Sequence, residues 1–185
     1  TWRFRMPHEE IEEYARLAEE NGLLLILDVQ PGLSTVAEEI EPLRKFLVRP
    51  YVHLAIDPEF DMAPGQRPGV HLGSMSANSI NHAIRFLADI VEQHHLPNKL
   101  LIVHQFDASM IRNKRAIQDD PRVDVVIDMD GFGGQGIKRK HYQWYVAEER
   151  IEFAGIKLFF KQDTNLMTPQ EVLGLVPPPD VIIYQ

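Results

Sequence analysis

Carboxylates, amides and one imidazole recur at the ends of short apolar runs in this chain. Asp28 and Gln30 follow Leu23-Leu24-Leu25-Ile26-Leu27, and Asp57 and Glu59 follow Val52-His53-Leu54-Ala55-Ile56. His104 and Gln105 follow Leu100-Leu101-Ile102-Val103, and Asp128 and Asp130 end Val123-Asp124-Val125-Val126-Ile127. Two carboxyl groups held across one mouth can serve as acid and nucleophile, or acid and base, on a glycosidic bond. Asp57-Pro58-Glu59-Phe60 is the sharpest such feature, because Pro58 fixes the backbone between two acids. Asp128-Met129-Asp130-Gly131-Phe132-Gly133 repeats its pattern. The catalytic candidates are therefore Asp57, Glu59, Asp128 and Asp130. Asp28, Gln30, His104, Gln105 and Tyr184 are candidates for holding sugar hydroxyls. Phe60, Phe106, Phe132, Trp144 and Tyr184 could stack on sugar rings, although each taken alone reads first as a core residue.

Other chemistries are less well supported. The same acids with His104 would suit Mg²⁺, Mn²⁺ or Zn²⁺, but no H-x-H or H-E-x-x-H spacing accompanies them. No cofactor is expected, and a divalent metal is the alternative. Ser74 and Ser76 precede a helix as caps, without G-x-S-x-G around them. His94-His95 closes a helix as a dipole partner. Lys157 sits inside an apolar run, as a Schiff-base nucleophile or, the preferred reading, as a buried partner of Asp130. Any single Asp has a plainer reading as the cap of its own loop.

The elements that would position these residues read as alternating helices and strands. Near-continuous apolar runs bounded by turn signals are how parallel strands appear. Six occur, at residues 23–28, 52–57, 100–104, 123–128, 155–160 and 181–184. Between them the apolar spacing is helical. A first helix lies between Pro7 and Gly22 with a stripe of Ile11, Tyr14, Ala15 and Ala18. A second is expected over residues 34–46 and a third over 77–94, capped by Ser76 and striped by Ile80, Ile84, Leu87 and Val91. Asp107 should cap a fourth running to Ile117. A fifth should cover 138–149 with Tyr142, Tyr145 and Val146 inward, its basic start Lys138-Arg139-Lys140-His141 solvated. Thr168 should cap a sixth over 169–175.

Helix–strand repeated six times in 185 residues matches the density of a (β/α)8 barrel, which takes eight units in about 250. The expectation is a TIM-barrel-like α/β domain spanning residues 1–185 and lacking its first two strands in this chain. An open parallel α/β sheet is the alternative. Parity assigns His53, Ala55, Asp57 and Glu59 to one strand face, with Asp28 and Gln30, and Val126, Asp128 and Asp130, facing the same way. Leu25, Leu27, Leu54, Ile56, Val125 and Ile127 take the other face, beneath the helices.

Composition narrows the partners. A formal net charge of −8 argues against nucleic acid or an anionic membrane surface. No window is apolar for long enough to span a membrane, and the absence of cysteine excludes disulfides. The chain begins at Thr1, which leaves room for a removed upstream segment. The open edges of an incomplete barrel would pair with the remainder of the polypeptide or with a second copy.

The blocks Leu27-Asp28-Val29-Gln30-Pro31-Gly32, Leu54-Ala55-Ile56-Asp57-Pro58-Glu59-Phe60, Val103-His104-Gln105-Phe106 and Met129-Asp130-Gly131 carry a resemblance, as does the closing Asp180-Val181-Ile182-Ile183-Tyr184-Gln185. They resemble a bacterial, actinomycete-type family of secreted or lipoprotein-like proteins that is itself similar to TIM-barrel glycosidases. The resemblance implies a secreted or cell-surface location and a barrel fold. One glycosidase clan places its nucleophile after the fourth strand and its acid/base after the sixth, positions that Asp57 and Asp130 take if two strands are missing. The expected function is a glycosidase-like hydrolase acting on a polysaccharide or glycan. The alternatives are a non-catalytic carbohydrate-binding or cell-surface barrel, and a metal-dependent hydrolase.

Overall fold

A computed structural model describes residues 4–149 and 151–185. Six strands form one parallel sheet: β1 (Leu25–Val29), β2 (Val52–Ile56), β4 (Lys99–His104), β6 (Val123–Met129), β7 (Phe153–Leu158) and β8 (Val181–Tyr184), adjacent in that order. Two short strands, β3 (Met75–Ser76) and β5 (Ile111–Arg112), pair separately beside the sheet. Strands consecutive along the main sheet are neighbours in space, so every crossover turns the same way and the helices collect on one face. The sheet curls into an open arc. β1 and β8 are its edges, each paired on one side only. An open half-barrel therefore stands where the sequence suggested a barrel.

Strand parity is as expected. Leu25, Leu27, Leu54, Ile56, Val125 and Ile127 belong to the large core under the helices. Ala55, Ile102 and Val126 form a small second cluster on the concave face with Ile26, Phe153, Val181 and Ile183. The helix α4 (Ala77–His94) buries Ile80, Ile84, Leu87 and Val91, each full burial contributing about 1.5–3 kcal/mol. Ser76 Oγ accepts the Ser79 N–H at 3.3 Å at its start, and His95 in the left-handed region ends it.

Other helices depart from the sequence reading for local reasons. In α1 (His8–Glu20) Ile11, Ala15 and Ala18 are buried, but Tyr14 is 52% exposed, so the apolar stripe is narrower than expected. The helix expected over 34–46 is divided into α2 (Val36–Ile40), a 3₁₀ turn (Glu41–Leu43) and α3 (Arg44–Leu47). Pro42, which lacks an N–H, stands at the division. Asp107 caps only a 3₁₀ turn, Ala108–Met110, its Oδ1 accepting the Ser109 N–H at 2.8 Å. The next residues leave helical geometry to pair with β3, and Asn113 at φ 56° turns the chain again. α5 (Gln135–Tyr142) starts early and continues as a π-helical turn, Gln143–Ala147, burying Tyr142 and Val146. Tyr145 is only half-buried, and Lys138, expected in solvent, is buried. Thr168 caps α6 (Pro169–Leu173) with a reciprocal Glu171 hydrogen bond.

Candidate functional site

His104 is the last residue of β4, on the concave face like Ile102, and the parallel register sets it opposite Asp128 on β6. Its Nδ1 lies 2.9 Å from Asp128 Oδ2 and 3.7 Å from Asp130 Oδ2. Its Nε2 lies 3.4 Å from Asp28 Oδ2, which reaches in from β1. On β2 Ala55 pairs between Asp28 and Ile102, and its single methyl leaves room above the sheet. Asp128 lies next to Gly155 on β7, where a Cβ would come within 2.9 Å of Asp128 Oδ1. Glycine there lets the carboxylate lie flat over the neighbouring strand. Lys157, two residues further along the same face, places Nζ 3.7 Å from Asp130 Oδ2. The preferred reading of Lys157 as a partner of Asp130 agrees with that distance.

Asp57 has both roles that its sequence position allowed. Its Oδ1 accepts the Glu59 N–H at 3.1 Å and caps the turn Pro58–Phe60. It also feels the charges of His104 and Asp28, so it belongs to the cluster. Burial pushes its carboxyl up to about 6, with His104 opposing and Asp28 adding to the rise. Burial likewise pushes Asp130 up to about 7, against His104 and with Asp128 and Asp57. Glu59 is raised by burial and held back by Lys157.

Asp28 goes the other way. Burial works to raise it, but the hydrogen bond and charge of His104, followed by the Lys157 charge, hold it below the usual carboxylate range. Burial also disfavours the His104 cation, yet the hydrogen bonds and charges of Asp128 and Asp28 outweigh it, and the imidazole is held well above its ordinary value. One oxygen each of Asp128 and Asp130 is buried without a hydrogen-bond partner among the described residues. A proton on Asp130 relieves the repulsion this arrangement would otherwise create.

The cluster lies at one end of a concave cleft of about 920 Å³. Ile26, Ala55, Ile102 and Val126 floor it, and Asp28, His104 and Lys157 line its polar end. The Asp28 side chain is 44% exposed there, whereas those of His104, Asp128 and Asp130 are almost wholly enclosed. Asp28 is thus more open to a ligand than Asp128 or Asp130.

The structure brings Asp28, Asp57, Glu59, His104, Asp128 and Asp130 to one end of the arc. It places the remaining candidates elsewhere. Gln105 follows His104 but faces away, its Oε1 accepting Lys114 Nζ at 2.7 Å and its Nε2 donating to Asp107 O at 3.2 Å. Gln30 is exposed along a groove at the free edge of β1. Tyr184 stands on the cleft rim at the edge strand, its ring stacked on Phe160 at 5.5 Å. Phe132 is 68% exposed, while Trp144 stacks on His141. His53 is buried and accepts the Leu100 N–H on Nδ1, and burial followed by the Lys99 charge lowers it to about 4. It is a satisfied core histidine.

No three His, Asp or Glu side chains among the described residues converge as a metal ion requires. In this cluster the embedded imidazole takes the centre, and the carboxylates point at it. Sequence reasoning placed Asp28 in the site as a binding residue, and missed Gly155, Lys138 and Asp163 around it.

These shifts set a pH dependence of stability. Asp57 and Asp130 bind protons more tightly folded than unfolded, so stability falls as pH rises from the ordinary carboxylate range through about 6 and about 7. The raised His104 contributes stability below its ordinary value that is lost as pH climbs through its folded value. The depressed Asp28 contributes in the opposite sense, and its share is lost only in acid. His53, lowered to about 4, acts in the opposite sense but only below its ordinary value of 6.5, so the melting temperature should be higher near about pH 6.5 than near about pH 8 in calorimetry at constant ionic strength. An unchanged or rising melting temperature across that interval would contradict these protonation states.

No protein-family model matches the chain, and no curated protein matches it.

Proposed function

We propose that the chain is a glycosidase-like hydrolase in which Asp130 is the general acid and Asp28 the ionised carboxylate. The observation that carries this reading is that both lie against the same imidazole while their environments push their ionisation in opposite directions. Carboxyl pairs with divided pKa values are how acid and base roles are assigned at neutral pH. Asp130, almost wholly enclosed behind the polar end of the cleft, would supply the proton for the departing glycosidic oxygen. Asp28, open to the cleft, would activate water or attack the anomeric carbon. His104, fixed by Asp128, would hold Asp28 ionised and oriented. Asp57, pushed up to about 6 by burial, is a second raised carboxyl in reach of the cluster, and Glu59 lies in the field of Lys157.

The arc is read as six of the eight strands of a (β/α)8 barrel, and two further strands would bridge β8 to β1. The same two strands would pair both free edges and cover the apolar concave floor. Barrel enzymes hold their chemistry where this cluster lies, at the carboxyl ends of the strands. Asp28, Asp57, Glu59 and Asp128 outnumber His104 and Lys157, which favours a neutral glycan over an acidic one. A polysaccharide substrate accords with a secreted or cell-surface setting.

Hydrolysis should follow a bell-shaped pH profile. The alkaline limb falls near about 7 as Asp130 loses its proton, and the acid limb falls as Asp28 gains one. A rate that climbs steadily through pH 8 would remove Asp130 from the acid role. Lys157, standing on β7 where a carboxylate nucleophile could have stood, favours the second reading, a carbohydrate-binding barrel without turnover. Glycan binding with no release of reducing ends would establish that reading instead.

A further inference from the structure

Outside the carboxylate–imidazole cluster, a second buried charge arrangement joins the loops that come after β6 and β7. Lys138 Nζ and Asp163 Oδ2 lie 3.0 Å apart, each side chain 1% exposed. Lys138 also donates to the carbonyl of Gly131 at 2.7 Å. Asp163 accepts the Gly133 N–H on one oxygen and the Phe159 N–H on the other, both at 2.9 Å. The pair therefore grips the backbone immediately after Asp130 and the backbone two residues after Lys157. Phe159 lies between the two ammonium groups, its ring 5.2 Å from Lys138 Nζ and 6.0 Å from Lys157 Nζ. Its edge packs on Phe132 at 6.1 Å.

The gripped loop has little stiffness of its own. Gly131 is a glycine because a Cβ would come within 2.8 Å of Phe106 Cβ, and Gly133 adopts φ 140°. Glycine at these places permits the turn and also frees the chain to leave it. Asp130 meanwhile has one oxygen without a partner among the described residues, and its approach to Lys157, at 3.7 Å, is too long to fix it. The placement of Asp130 must come from the backbone on either side. Fold stability alone is a weak reason for the pair, since apolar replacements of a buried ion pair are often neutral or stabilising.

We infer that Lys138 and Asp163 are positioning residues that set the gap between Asp130 and Lys157 behind the polar end of the cleft. The inference rests on the proposed role of Asp130. Neither residue faces the substrate; both act through the loop that carries the acid, and the Lys138 charge is also felt directly by Asp128 and Asp130.

The test compares Asp163→Asn and the double variant Lys138→Met/Asp163→Leu with the full wild-type chain, and uses the surface variant Lys140→Ala as a charge control. Two quantities are read: the titration of the Asp130 side-chain carboxyl by ¹³C NMR, and hydrolysis of a panel of neutral polysaccharides. In both test variants the Asp130 titration should move by about one pH unit or more towards the ordinary carboxylate range, as the loosened loop admits water. Turnover should fall at least about tenfold with little change in KM. Lys140→Ala should alter neither. A folded double variant in which Asp130 titrates as in the wild type overturns the inference. So does loss of the fold in both variants, which would make the pair a structural anchor. If the wild type hydrolyses nothing while the titration moves as expected, the positioning stands and the hydrolase reading fails.

Discussion

Asp130→Asn should lower turnover by about three orders of magnitude or more while leaving the fold in place. An amide matches the carboxyl in shape but cannot deliver a proton to a departing oxygen. The buried oxygen of Asp130 that lacks a partner would become an amide or carbonyl with modest local cost. Asp57→Asn should have a smaller effect, because Asp57 is held by its own turn as well as by the cluster. Steady-state rates on a chromogenic or polymeric neutral glycan, with circular dichroism to confirm the fold, measure both. Equal and small losses in the two variants would mean that neither is the acid.

Asp128→Ala should be the most destabilising single change at the site. Asp128 is fully buried and gives His104 its shortest contact, 2.9 Å. Removing it leaves a buried imidazolium facing an empty place, and breaking such a pair costs about 3–5 kcal/mol. For a chain of this size that is a fall in melting temperature on the order of 10 °C. Gly155→Ala should act through the same pair, since its new Cβ would press on Asp128 Oδ1. Calorimetry near neutral pH measures both. A change of less than about 2 °C in Asp128→Ala would show that His104 is neutral in the folded state and that the pair contributes little.

Much of this arrangement is legible from strand parity alone. Alternation assigns Ala55, Val126, Asp57, Asp128 and Asp130 to one face, and the structure places them there. The same alternation separates Gln105 from His104, and it outweighs their adjacency in the chain. Asp28 reads as a binding residue because no adjacent feature marks it. Its importance comes from His104, two strands away. The basic run at Lys138 reads as a solvated face because its buried partner, Asp163, lies on a loop beyond the next strand. A pairing of that kind has no local pattern. The helix expected after Asp107 fails for a different reason. The side chain caps a turn in either case, and pairing of β5 with β3 decides the course of the chain beyond it. Six parallel strands in chain order are legible, but closure is not. The period of a strand reports which faces it buries and not whether its edge has a neighbour.

We propose that carboxyl groups divided in ionisation around His104 cleave a glycosidic bond. Release of reducing ends from a panel of neutral polysaccharides, by wild type, Asp28→Asn and Asp130→Asn in parallel, tests it most directly. The expected result is release by the wild type on at least one polymer and loss of about 10³-fold or more in both variants, with binding to that polymer retained. Release that persists undiminished in both variants, or its absence from the wild type on every polymer that it binds, would contradict the claim.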